Sequence, residues 1–416
     1  MTETLGSRHA TADEATPTWQ RIVRKAGLVY LYSRICVVVG AAIVAAELRA
    51  DVNQIQGDTN TVVPAVVADP HLAGHGVPGS AVSPMLDVLS SWDGIWYLRI
   101  VRDGYPRHIA AHVTYHVDDA RAAFFPAYPM LVRIVDAVLP GGDTIAALFT
   151  NFVLGAVAIL LLGILARRLF GDEVAEKSMV LAALFPGSFV LSFAYTEALL
   201  LVVAMACLWC LMEERWVLAG VFAAIGTATR PNGLALVWAC AIAAAIAIRR
   251  RRDWKSLAAP IISPLGFVGF QLWLGAHAHE SGVWFRVQRE AWNEGVSFGW
   301  TAIRKTFATF AHPLTSPTDI VTTASVLVTA LLIYFAWHKR LPWTMVAYCV
   351  GILAFMLIPN TVTARPRFLF TAFPLFISAG AYMHEVRRDW WPYVVGACST
   401  GLVALTALYG VYGAIP

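Results

Sequence analysis

Charge is scarce in this chain. Asp, Glu, Lys and Arg make up 14% of its 416 residues, where a soluble domain carries about a quarter. A water-soluble enzyme of this length is therefore excluded. The net charge is only +4, and the basic residues fall in short clusters between apolar runs. Such clusters are orientation signals rather than a phosphate-tracking face, so no nucleic-acid partner is expected. Cysteine is sparse too. All six (Cys36, Cys207, Cys210, Cys240, Cys349 and Cys398) lie in apolar segments, where thiols behave as small hydrophobes. Cys207 and Cys210 form a Cys-x-x-Cys with no second pair, so no disulfide framework and no metal or redox centre is expected. There is no tandem repeat and no run of short alternating segments of the β-barrel kind. The polar first 25 or so residues lack the apolar core and cleavage site of a signal peptide, and read as a disordered cytoplasmic tail.

What is abundant is hydrophobicity: 58% of residues and a mean hydropathy of +0.62. Apolar runs near membrane-spanning length recur from end to end, which predicts an all-α polytopic membrane protein. Eleven spans are expected, at about 27–47, 144–166, 176–192, 196–213, 216–229, 232–248, 257–275, 319–337, 342–358, 367–384 and 391–412. Arg21, Arg24 and Lys25 precede the first. Arg167, Arg168, Lys177, Arg215, Arg249 to Arg252, Lys255, Lys339, Arg340, Arg387 and Arg388 follow alternate spans. A cytoplasmic N-terminus puts all of them on the cytoplasmic side of a cell membrane.

Two long loops are then external, at about 48–143 and 276–318. From Pro84 to Arg102 the first is amphipathic: Met85, Leu89, Trp92, Trp96 and Ile100 recur at helical spacing, and Gly104 offers a stop. That predicts an interfacial helix. Residues 124–139 are apolar but short, carry Pro126, Pro129 and Arg133, and read as a helix at or dipping into the outer interface. Trp284, Phe285, Arg286, Gln288, Arg289, Trp292 and Trp300 make the second loop another interfacial helix.

The remaining polar residues gather on the same outer side. They are Asp93, the turn Tyr195-Thr196-Glu197, the stretch Arg230-Pro231-Asn232-Gly233, and Arg365-Pro366-Arg367. Each alone is an ordinary solvated or snorkelling span end. Together they suit an anionic headgroup. Arginine offers phosphate a planar fork, and Asn232 a donor and an acceptor for sugar hydroxyls. A carboxylate such as Asp93 can take the proton of an attacking hydroxyl. Arg230 and Arg367, with Arg365 as a further candidate, can stabilise charge on a departing phosphate. Glu197 either orients an acceptor or pairs with an arginine. Trp92 and Tyr97, with Gln288 of the second loop, are further substrate-binding candidates. Trp96, Tyr97, Phe124, Phe125 and Tyr128 either stack on a sugar ring, line a polyprenyl groove or anchor the chain at the interface, and most of them read as anchors. His112 and His116, followed by Asp118 and Asp119, are weak metal candidates because no third ligand is set by spacing. No Asp-x-Asp occurs, and no metal or other cofactor is expected. Arg34, inside the first span, either snorkels or pairs within the bundle.

Several of these motifs together resemble a known family. Trp92-Asp93, Gly104-Tyr105, Ala123-Phe124-Phe125-Pro126 with Pro129, Tyr195-Thr196-Glu197, Arg230-x-Asn232-Gly233 and Arg367-Phe368-Leu369 are similar, in order and spacing, to motifs of the GPI mannosyltransferase II (PIG-V-type) family. The Ala- and Arg-rich short loops suggest a bacterial member. The resemblance implies a GT-C-type transmembrane domain over 26–416 and an inverting membrane glycosyltransferase. It further implies a polyprenyl-phosphate sugar donor, mannose first, a glycolipid or glycan acceptor on the non-cytoplasmic face, and Asp93 as general base. The alternative from another class is a transporter or flippase of a lipid-linked sugar, which would place its polar residues at mid-membrane within repeats.

Overall fold

The computed structural model describes residues 19–57, 82–111, 113, 117–292, 295–360, 365–386 and 388–414. Most of the polar tail, the polar part of the first loop, and His112, His116 and Arg387 lie outside the described residues. Every regular element among the described residues is a helix, and one isolated bridge joins Val296 to Pro359. The chain is an all-helical polytopic membrane protein. Six helical segments are long and apolar enough to cross a bilayer: Trp19–Glu47, Asp143–Phe170, Pro231–Arg251, Trp254–His277, Pro317–His338 and Arg388–Gly410. These coincide with six of the expected spans.

The other five expected spans are shorter or broken. Glu197–Met212, Trp216–Thr227 and Trp343–Leu357 are apolar helices of 10–17 residues. The expected span 176–192 ends its α-helix at Leu184, and a 3-10 turn runs over Pro186–Leu191. The expected span 367–384 divides into Pro366–Thr371 and Pro374–Glu385. Proline accounts for the first break: Phe185, before Pro186, is extended (φ −53, ψ 136), as the proline ring requires of its predecessor. Two expected boundaries also move. The first helix, α1, runs over Trp19–Gly57, so it begins inside the expected tail and ends well past residue 48. The amphipathic stretch after Pro84 is two helices, α2 (Val82–Leu89) and α3 (Asp93–Asp103), parted at Trp92. Gly104 caps α3 with φ 70.

Arg34 shows why the 186–191 break is stable. It neither snorkels nor meets an acid. Its Nη1 donates to the Ser188 carbonyl at 2.9 Å and the Ser192 hydroxyl at 3.0 Å, and its Nη2 to the Ala183 carbonyl at 3.3 Å and the Ser188 hydroxyl at 3.0 Å. These are the carbonyls that a broken helix leaves unsatisfied. One guanidinium therefore replaces the missing ladder inside the bundle.

One set of ion pairs gathers at one end of the bundle. Lys25 pairs with Glu176, Arg388 and His384 with Glu173, Lys339 with Glu385, Arg168 with Glu213, and Arg251 with Glu214. The basic clusters that hydropathy put on one side are thus tied to one another. The helix Glu197–Met212 has its C-terminus there and its N-terminus about 24 Å away, at 1.5 Å per residue. Pro231 and Arg367 likewise start segments that finish near Arg251 and Glu385. Glu197, Arg230 and Arg367 therefore meet at the end opposite this set.

Candidate active site

Asp93 is the first residue of α3, where the helix dipole favours a carboxylate. The segment is docked on the turn before Glu197 through the Ala194 N–H, which donates to the Leu89 carbonyl at 2.9 Å. Asn151, inside the Asp143–Phe170 helix, holds that turn from behind: its side-chain amide donates to the carbonyls of Phe193 and, at 2.7 Å, Tyr195. Arg230 and Arg365 each precede a proline and are extended, with Pro231 and Pro366 opening short helical turns. The Arg-Pro pairing therefore sets both arginines outside helical geometry by local sterics alone.

These pieces bring four charges together. Arg367 Nη1 lies 2.5 Å from Asp93 Oδ2 and 3.9 Å from Glu197 Oε1. Arg230 forms an ion pair with Glu197, and its Nη1 donates to the Thr196 hydroxyl at 3.4 Å. Two guanidiniums and two carboxylates thus balance, which a buried cluster needs. Glu197 is 1% exposed and pairs with Arg230. Phe368 underlies both arginines, its ring centre 5.2 Å from the Arg230 guanidinium carbon and 4.9 Å from that of Arg367; Tyr195 faces Arg367 at 5.4 Å. The cation–π role of Phe368 was not legible in the sequence, because it requires two arginines 137 positions apart to converge.

Asp93, Tyr97, Arg230, Asn232, Gln288 and Arg367 line one cavity of about 290 Å³. Ala123, Phe124, Phe125, Trp284, Phe355, Pro359 and Phe368 complete much of its wall. Asn232 Nδ2, Arg230 Nε and Arg367 Nε are buried donors without a hydrogen-bond partner among the described residues. Buried donors normally have partners; these three are exceptions, and all belong to residues that line the cavity. Burial, partly offset by Arg230, raises the Tyr97 phenol above its ordinary range. Tyr97 therefore stays a neutral hydroxyl, 3.4 Å from that of Thr196.

Three sequence candidates lie outside this lining. Glu197 sits behind it. Arg365 is fully buried and its Nη1 donates to the Thr322 hydroxyl at 3.2 Å. Trp92 is directed to the C-terminal helix, donating to the Tyr409 carbonyl at 2.9 Å and packing on Tyr412 with centroids 4.9 Å apart. Its φ of 58 is the sharp bend that starts α3 at Asp93. Trp92 therefore anchors the loop and does not line the cavity. The reading of the aromatics as interface anchors also fails for Phe125 and Tyr128. Both are core residues at 1% and 0% exposure, and Tyr128 packs edge-on against Tyr97. Among the described residues no group of three or more His, Cys, Asp or Glu could hold a metal ion.

Residues 124–274 match a family described as dolichyl-phosphate-mannose-protein mannosyltransferase. The match covers rather more than a third of the chain. It contains Glu197, Arg230 and Asn232, and leaves Asp93 and Arg367 outside. No curated protein matches the chain. Among solved structures, the oligosaccharyltransferase of Archaeoglobus fulgidus in its apo form aligns with 91% of this chain and 55% of that one, at 15% identity and a TM-score of 0.43. The same enzyme tethered to an acceptor peptide with an NVT sequon aligns with 92% and 56%, at 15% identity and a TM-score of 0.40. This chain spans little more than half the length of those structures. Over residues 124–274 the chain is similar to a family of mannosyltransferases.

Proposed function

We propose that this chain is a GT-C-type membrane glycosyltransferase. It moves a sugar, mannose first, from a polyprenyl-phosphate carrier to a hydroxyl of a glycolipid or glycan acceptor on the non-cytoplasmic face. The observation that carries this reading is the convergence of Asp93, Arg230, Arg367 and Asn232 on one cavity. The similarity of residues 124–274 to dolichyl-phosphate-mannose-dependent enzymes supports the choice of donor.

The chemistry follows from the charges. The acceptor hydroxyl attacks the anomeric carbon while Asp93 accepts its proton. A carbon–oxygen bond forms on one face of the sugar, and the bond to the carrier phosphate breaks on the other, so configuration inverts. The phosphate gains negative charge as it leaves. Arg230 and Arg367 are placed to receive it, and such pre-set donors are worth most in a site that excludes water. Glu197 holds Arg230 in position. Asn232, Tyr97 and Gln288 offer hydrogen bonds to sugar hydroxyls. Phe124 and Phe125 supply an apolar wall.

The test is an assay of purified protein with polyprenyl-phosphate-mannose and a panel of glycolipid and glycan acceptors. Product should form with wild type and fall about a hundred- to ten-thousand-fold in a folded Asp93→Asn variant. Equal turnover by that variant removes Asp93 from the role of base. Movement of intact lipid-linked sugar across vesicles, with no new glycosidic product, would favour the transporter instead.

A further inference from the structure

A second cavity, of about 640 Å³, lies between α3, the helix Ala127–Asp136 (α4) and the membrane-length segment Trp254–His277. We infer that it is a docking site for an anionic phospholipid of the surrounding bilayer. This does not depend on which sugar the first cavity handles, or on whether it handles one.

The cavity has a polar end and an apolar floor. Arg107, Arg133 and His277 stand at the polar end, opposed by one acid, Asp103. Arg133 is held there: its Nε donates to the Val101 carbonyl at 3.0 Å and its Nη2 to the Ile100 carbonyl at 3.1 Å. Its charge therefore sits at the C-terminus of α3, where a cation is favoured. His277 is fixed by stacking on Trp273, centroids 4.8 Å apart, and by a 3.2 Å contact of Nε2 with the Tyr105 carbonyl. Phe270 and Trp273 form the floor, and Gly269 leaves it open; Gly266 also lines it, but a Cβ there would run into the Ala224 carbonyl oxygen, 1.9 Å away, on the neighbouring helix. A Cβ on Gly269 would meet nothing within 4 Å, so that position is open space.

Length and direction fit a chain-bearing lipid better than a compact solute. From His277 to Gly266 the helix rises about 16 Å, at 1.5 Å per residue. Cations occupy one end of that run and glycine and aromatic carbon the rest. The segment Trp254–His277 is only 22% buried over its apolar window, so its other faces already meet lipid. Charge complementarity selects an anionic head: two arginines against one acid, with guanidinium forks suited to phosphate.

The wall between the two cavities is Ala123-Phe124-Phe125-Pro126. Phe125 lines the first cavity and packs on Phe270 of the second, centroids 4.7 Å apart, while the Tyr105 hydroxyl donates to the Phe124 carbonyl at 2.7 Å. An occupant of the second cavity therefore braces the wall of the first without reaching Asp93.

The experiment uses the full chain in nanodiscs, with phosphatidylglycerol and phosphatidylcholine as probes. Native mass spectrometry should find one phosphatidylglycerol retained preferentially by wild type. Gly269→Leu, which fills the channel, should lose it, and Arg107→Gln should weaken it by about tenfold, the scale of one charged hydrogen bond. Brominated phosphatidylglycerol should quench a component of the fluorescence that Trp273→Phe removes. Phosphatidylglycerol should raise the melting temperature of wild type more than that of Arg107→Gln, which guards against misfolding of the glycine variant. Equal retention of both lipids by all variants, or displacement of phosphatidylglycerol by polyprenyl phosphate, would overturn the inference.

Discussion

Arg367 shares one guanidinium nitrogen between two acids: Nη1 is 2.5 Å from Asp93 and 3.9 Å from Glu197. An anion entering the cavity competes directly with Asp93 for this cation. Donor phosphate and the proposed base are therefore coupled through a single side chain.

Replacing Arg367 tests that coupling. Arg367→Gln should lower turnover by about a hundred- to a thousand-fold, the range for loss of one transition-state donor. Arg367→Lys should recover only part, because lysine lacks the planar fork. The measurement is kcat and KM for the lipid-linked donor. A variant with glutamine and wild-type kcat would take Arg367 out of phosphate stabilisation.

Glu197 and Arg230 are a buried pair, at 1% and 8% side-chain exposure. Glu197→Gln leaves Arg230 without its nearest countercharge, and breaking such a pair costs about 3–5 kcal/mol. The melting temperature should drop clearly. Adding Arg230→Leu should restore much of the stability while leaving transfer abolished. If the double variant is no more stable than the single one, the two charges are not coupled.

Arg34→Met should destabilise without touching the cavity. It removes the Arg34 donor from the Ser188 carbonyl, at about 1–3 kcal/mol for an unsatisfied buried group, while the Ala183 carbonyl keeps the Ser188 hydroxyl at 2.8 Å. Circular dichroism in detergent would read the loss as a lower melting temperature. An unchanged melting temperature would mean that the break at Pro186 needs no staple.

Gly187 is where the two proline-broken segments touch. A Cβ there would lie 2.4 Å from the Pro366 carbonyl oxygen, so backbone must move. Gly187→Ala should cost about 1–3 kcal/mol, as overpacking does. It should also reduce transfer by shifting Arg367, one residue on. Wild-type activity in a folded Gly187→Ala protein would show that Arg367 tolerates the displacement.

Some site features were legible because they are local. Gly104 as a helix stop and the Arg-Pro dipeptides that hold Arg230 and Arg365 extended follow from the residues beside them; the break that makes Asp93 open its own helix does not, because the apolar spacing runs straight through Trp92. Trp92 and Arg365 were misplaced for the opposite reason. What Trp92 binds is the Tyr409 carbonyl, 317 positions away, and Arg365 turns to Thr322, which no motif marks. The expected spans 176–192 and 367–384 ran through breaks because hydropathy sees apolar carbon and not the ladder that proline interrupts; the three short spans fell within two residues of their helices.

The sequence by itself determined the all-helical, membrane-embedded character of the chain. It also placed its basic clusters apart from its acid- and arginine-bearing turns, because hydropathy, proline sterics and charge counts act over a few residues. Only the tertiary structure decided which charges meet. It set Arg367 between Asp93 and Glu197, laid Phe368 beneath both arginines, and opened a second cavity behind Phe125. Those relations depend on helix ends brought together across the bundle, where burial and Coulomb attraction act through space with no regard for position along the chain.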